Sequence, residues 1–158
     1  MIIGDPFKFA IQFDSVNEWN SDNFWRNGAF SLYINGVRLP DLLDVIELRV
    51  TLACYVKLEK ITIVSGNDKL SAEHIYKTTN SYLFGDGLNY IEGVYDLTCT
   101  AMSDVGCHAY WLGRSDSEIF VWSSNDGKRI ESVSLPGGTF HAVASKLRRV
   151  LEMDLGWL

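Results

Sequence analysis

Phe7, Phe9, Ile11 and Phe13 alternate with Lys8, Gln12 and Asp14 near the start of the chain. A period of two predicts a strand with one buried face, and Ala10 is small enough for either side. The preceding Gly4-Asp5-Pro6 is turn chemistry: an unusual backbone angle, a side chain that bonds its own backbone, and a fixed φ. The polar, Asn-rich stretch "SVNEWNSDNFWRNG" then reads as a loop ending at Gly28. Phe30, Leu32 and Ile34 mark a second strand, Asn35-Gly36 is a strong hairpin signal, and Pro40 stops the ladder after Val37-Arg38-Leu39.

Two periods compete between Asp44 and Lys60. Val45, Leu48, Leu52, Tyr55 and Val56 fit a helical stripe, whereas Leu48, Val50, Leu52, Cys54, Val56 and Leu58 alternate as in a strand. The length exceeds the usual strand of about five or six residues, so the stretch predicts a helix, with Asp41 or Asp44 as its cap. Ser71 can cap a second helix, "AEHIYKTTNSYLF", closed by Gly85-Asp86-Gly87. Tyr95, Leu97, Cys99 and Ala101 alternate with Asp96, Thr98 and Thr100, predicting a strand. "CHAYWLG" and "EIFVWSS", separated by "RSDS", and then "RIESVSL" after the turn "NDGK" continue a meander. After Pro136-Gly137-Gly138, Thr139 can cap a last helix with Phe140, Val143, Ala144, Leu147, Val150 and Leu151 in one stripe. Its Lys146, Arg148 and Arg149 sit where the helix dipole favours cations. This order predicts an α+β fold in one domain, residues 1–158. It has a mainly antiparallel sheet of about five to six strands and two to three helices, the C-terminal amphipathic helix packing on the sheet.

Composition changes this picture little: 158 residues, 47% hydrophobic and 22% charged, are ordinary for a chain with a buried core. No apolar run approaches the ~20 residues of a membrane helix, and no basic segment followed by an apolar stretch opens the chain, so a cytoplasmic protein is expected. The three cysteines, Cys54, Cys99 and Cys107, are then expected to be reduced and mostly buried.

Charge adds more. The net charge is −6, and residues 78–113 contain no Lys or Arg but do contain Asp86, Glu92, Asp96 and Asp104. Such a protein repels nucleic-acid phosphates and attracts a basic partner; the plainer alternative is a solvated acidic face. Tyr82, Phe84 and Tyr90 surround the Gly85-Asp86-Gly87 turn in this interval, so aromatic anchors and charge coincide at Tyr82, Phe84, Asp86, Tyr90 and Glu92. A second candidate surface is the loop with Glu18, Trp19, Asp22 and Trp25, whose rings either face a partner or fold back as lids over the core.

Catalytic and metal chemistry find little support. Cys99, Asp104, Cys107 and His108 lie close together, but adjacent Cys107 and His108 point to opposite faces of a strand and a second ligand pair is missing. Cys54 with His108 or His141 lacks any nucleophile signature. "LPGGTF" lacks the lysine and spacing of a phosphate loop. No catalytic, metal or cofactor-binding residue is assigned, and no cofactor is expected.

"MIIGDPFKFAIQFD" followed by "GAFSLYINGVRLPD" resembles the start of bacterial polymorphic-toxin immunity proteins, specifically immunity protein family forty-two. "YWLGRSDSEIFVWSSNDGKRIESVSLPGGTFHAVASKLRRVL" is similar to that family's ending, while residues 65–93 depart most. The resemblance implies a cytoplasmic antitoxin that binds the C-terminal domain of a cognate toxin and neutralises it. Its expected partner is a basic toxin domain, with neither nucleic acid nor membrane, and a homo-oligomer stays open. The rival classes are a small cytosolic thiol-dependent enzyme and an interaction or adaptor domain with no toxin.

Overall fold

A computed structural model describes residues 1–20, 25–42, 44–60 and 69–157 of the chain. They gather into two compact units, one from Met1–Ile61, Cys99–Ala101 and Thr139–Leu158, the other from Thr62–Thr98 and Met102–Gly138. The fold is α+β, as expected, but the strands divide between two antiparallel sheets, of five strands and of four.

In the first unit, Ile2–Gly4 (β1) pairs with Phe9–Ser15 (β2), which pairs with Asn27–Ile34 (β3); Val37–Leu39 (β4) and Ile46–Glu47 (β5) both pair with β3. Phe9, Ile11, Phe13, Phe30, Leu32 and Ile34 are buried as the alternation requires. Phe7 is not. It sits in the β1–β2 turn, 80% exposed, because the Asp5 carboxylate accepts its N–H at 3.0 Å and the Asp5 carbonyl that of Lys8 at 2.9 Å. The turn therefore consumes the residue that alternation assigned to the core, and the strand begins two residues later. Asn35 and Gly36 have φ of 52° and 80°, the left-handed pair that a two-residue hairpin needs.

The ambiguous stretch resolves as a helix, Leu48–Leu58 (α1), burying Leu48, Leu52, Tyr55 and Val56. Its cap is Glu47, not Asp41 or Asp44: one carboxylate oxygen accepts Val50 N–H at 2.6 Å and the other Arg26 N–H at 3.1 Å. A side chain shared with β3's approach fixes the start that local propensity left open. The last helix, Thr139–Arg149 (the α4 of the chain's four helices among described residues), buries Phe140, Val143, Ala144 and Leu147. It packs on β1 and β2, with the Phe140 and Phe9 rings 5.5 Å apart. Arg148 donates to the Glu59 carboxylate and to the Val56 carbonyl, tying the helix to α1's end.

In the second unit, Val94–Asp96 (β6), His108–Gly113 (β7), Ser117–Ser123 (β8) and Glu131–Pro136 (β9) pair in that order. Ala72–Phe84 (α2) starts at Ser71, whose hydroxyl accepts His74 N–H at 3.2 Å. Its Ile75 and Tyr76 form a core with Tyr110, Leu112, Ile119 and Val121. The strand expected through Ala101 stops at Asp96. There the Asp96 carboxylate accepts Thr98 N–H at 2.8 Å, and the chain continues as a short helix, Thr100–Ser103 (α3), whose first two residues belong to the first unit. Alternation over Leu97, Cys99 and Ala101 was accidental. Nor are the cysteines mostly buried: Cys107 is, Cys99 is half-buried and Cys54 is exposed, and none forms a disulfide.

Candidate protein-binding site

α2 ends in a loop folded onto its own last turn. The Ser81 carbonyl accepts both Gly85 N–H at 3.1 Å and Gly87 N–H at 3.0 Å. A Cβ on Gly87 would lie 2.5 Å from Ser81 Oγ and 2.9 Å from the Ser81 carbonyl carbon, so this close approach requires glycine. The loop carries Asp86 at its tip, exposed, and Tyr90 and Glu92 beyond, also exposed. Tyr82 and Tyr90 meet, ring centroids 5.8 Å apart.

Phe84 is 46% exposed yet its ring lies 4.4 Å from the His108 imidazole. Five of the sequence-derived site residues, Tyr82, Phe84, Asp86, Tyr90 and Glu92, thus occupy one loop and helix end of the second unit. Leu83 and Leu88, which the sequence reading missed, are exposed among them, Leu88 at 91%. The signal was available: Leu88 directly follows the Gly-Asp-Gly turn that closes the predicted helix and lies before the next predicted strand. Leu83 was hidden by its place in a helical run. Beside the loop lies an open groove of about 260 Å³, lined by Lys77, Thr78, Ser81, Gly87 and Asn89.

The second candidate group belongs to the first unit. Trp19 and Trp25 are 44% and 51% exposed, so neither ring is a closed lid, and Glu18 is exposed. Asn20 holds this loop: its amide donates to the carbonyls of Val16 and Asn27 and accepts Asn27 N–H. Asp22 lies outside the described residues.

Titratable groups near the face are perturbed by burial. His108 is only 6% exposed, its Nδ1 has no partner among the described residues, and burial lowers its pKa, against the nearby charges of Asp96 and Asp126. Packing raises the Asp96 carboxyl, against hydrogen bonds from Thr98. Burial pushes the Tyr110 phenol far up; it donates to Asn80 Oδ1 at 2.7 Å. No group of three or more His, Cys, Asp or Glu among the described residues is arranged to hold a metal ion, and no described helix is long and apolar enough to cross a membrane.

Because folding lowers the His108 value, the unfolded chain takes up this proton first as pH falls. The favourable contribution is complete above the ordinary histidine value of about 6.5 and declines below it, levelling off under the folded value. The urea midpoint should therefore fall between pH 7.5 and 5.5, and His108→Gln should flatten that fall. A parent midpoint constant over this range would contradict the assignment.

An α+β chain with exposed aromatic and acidic side chains gathered at one helix end and the loop after it is equipped to bind another protein, and comparison places it among immunity proteins. Residues 1–150 match the family model described as Immunity protein 42, and the chain belongs to that family. The match runs through the middle of the chain as well as both ends. As an immunity protein it neutralises a toxin, binding the cognate toxin domain. The fold is similar to that in the crystal structure of CdiI from Burkholderia dolosa AUO158, with a TM-score of 0.74 and 20% identity, over 94% of this chain and 98% of that one. No curated protein sequence matches the chain significantly.

Proposed function

We propose that the chain is a cytoplasmic antitoxin that neutralises the C-terminal domain of a polymorphic toxin by occupying its surface, without catalysing a reaction. The toxin domain is basic, and it docks on the face formed by Tyr82, Phe84, Asp86, Tyr90 and Glu92. One observation carries this reading: exposed aromatic rings and carboxylates coincide in the interval, residues 78–113, that has no Lys or Arg. Aromatic anchors supply buried area and the acids accelerate encounter. The exposure of Trp19 and Trp25 beside Glu18 makes that loop, with Asp22 in its sequence, the second candidate contact.

Co-producing the chain with its cognate toxin domain tests this proposal. The two should elute together at a mass equal to one of each, and Asp22, Trp19 or Trp25 variants should weaken the complex less than changes in 82–92. A chain that protects cells yet never co-elutes would contradict binding as the mechanism.

A further inference from the structure

Among the described residues, five of the fifteen exposed large hydrophobic side chains fall within nine positions: Tyr82, Leu83, Phe84, Leu88 and Tyr90. Scattered single apolar residues need no explanation, but a cluster rimmed by charge marks a binding surface. Its members differ in kind. Tyr82 and Tyr90 brace each other, and Phe84 is braced by His108. Leu88 is 91% exposed, the most exposed large hydrophobic of the described residues, and it follows directly on Gly87, which the Ser81 carbonyl pins to α2.

Leu88 follows directly on this pinned backbone, so a partner that covers it has less main-chain freedom to restrict and orders chiefly the side chain. Placing the backbone in advance lowers part of the ordering cost of binding. Asp86 lies two residues before Leu88 and Glu92 four after, both exposed. A complementary surface must therefore place an apolar pocket inside a ring of cations.

We infer that Leu88 is the anchor of the interface, seating in an apolar pocket of the toxin domain that Lys or Arg side chains border, with Tyr82, Phe84 and Tyr90 closing around it. This deepens the proposed docking on residues 82–92 and rests on it. The two kinds of residue have separable kinetic signatures. The anchor governs dissociation, because it is desolvated only in the finished complex. The carboxylates govern association, because their field acts before contact.

The test is surface-immobilised binding kinetics of the cognate toxin domain with the parent, Leu88→Ala and Gly87→Ala, alongside thermal melts. Leu88→Ala should dissociate at least about tenfold faster, with association within twofold of the parent. Gly87→Ala keeps the leucine at position 88 but shifts the backbone that carries it, and should also speed dissociation. Melting of Leu88→Ala should match the parent, since the side chain contributes nothing to the core. Parent binding with an unchanged dissociation rate for Leu88→Ala, whatever Gly87→Ala does, would overturn the anchor while leaving toxin binding intact. No binding by the parent would instead overturn the proposed function. Concentration-dependent dimerisation of the parent that Leu88→Ala abolishes would assign the face to self-association, and would also overturn the anchor.

Discussion

A chain lacking residues 1–14 is expected not to fold. The segment supplies β1 and β2, and with them the buried Ile3, Phe9, Ile11 and Phe13. Burying a large apolar side chain contributes about 1.5–3 kcal/mol, so these four account for roughly 6–12 kcal/mol of a typical total near 5–15 kcal/mol. The loss is also topological. β2 lies between β1 and β3, so its removal strips β3 of a full-length partner and takes away the surface on which Phe140 packs. The truncated protein should be insoluble, or should lack a cooperative melt by circular dichroism. A melt close to that of the intact chain would show that the first sheet is not organised around β2.

Reversing the two carboxylates of the candidate face should have the largest effect on recognition. Asp86→Lys with Glu92→Lys changes the local charge by four units in an interval that holds four acids and no base. Steering by a complementary field raises association rates by about 10–10³-fold, so association with a basic toxin domain should slow by at least about tenfold at low salt. Both residues are exposed, so the melt should hold. Raising the salt should narrow the gap between parent and variant, because at 0.1 M the field of exposed charges is largely screened beyond about 10 Å. Equal association rates for both proteins at both salt concentrations would reduce the acidic stretch to a solvated face.

Where local chemistry decided the structure, the sequence was readable. Ser71 and Gly85 bracket α2 as cap and stop. The stripe from Phe140 to Leu147 is buried along α4. Asn35-Gly36 turns where its φ preference requires. Misreadings fell where a non-local partner or a short-range side-chain bond intervened. Phe7 kept the strand period but was captured by the Asp5 turn. Glu47 became the cap of α1 because Arg26, from another part of the chain, shares its carboxylate. The run from Tyr95 to Ala101 has strand alternation, yet Thr98 and Asp96 bond each other locally and end the ladder. Within each sheet the strands pair in chain order, apart from β5, which returns to β3; alternation marks the strands but not how many of them share one sheet.

The candidate face was half legible for a similar reason. Aromatic residues and missing bases are visible in composition, so Tyr82, Phe84, Asp86, Tyr90 and Glu92 stood out. Leu83 and Leu88 are apolar residues in an apolar-rich chain, and only their exposure separates them from core leucines such as Leu97 or Leu112. In the sequence, His108 stands near cysteines as a candidate metal ligand or a partner for Cys54. Its place beneath the Phe84 ring follows from β7 lying against the C-terminal end of α2, which the sequence does not state.

Neutralisation by occupancy, rather than by turnover of the toxin, is the central claim, and stoichiometry separates the two. The decisive measurement is a calorimetric titration of the purified chain with its cognate toxin domain, with toxin activity assayed in the same mixtures. One chain should bind one toxin domain, and toxin activity should fall in proportion to the chain added and vanish at equivalence. Complete loss of toxin activity well below one equivalent, or protection with no detectable heat of binding, would contradict this account.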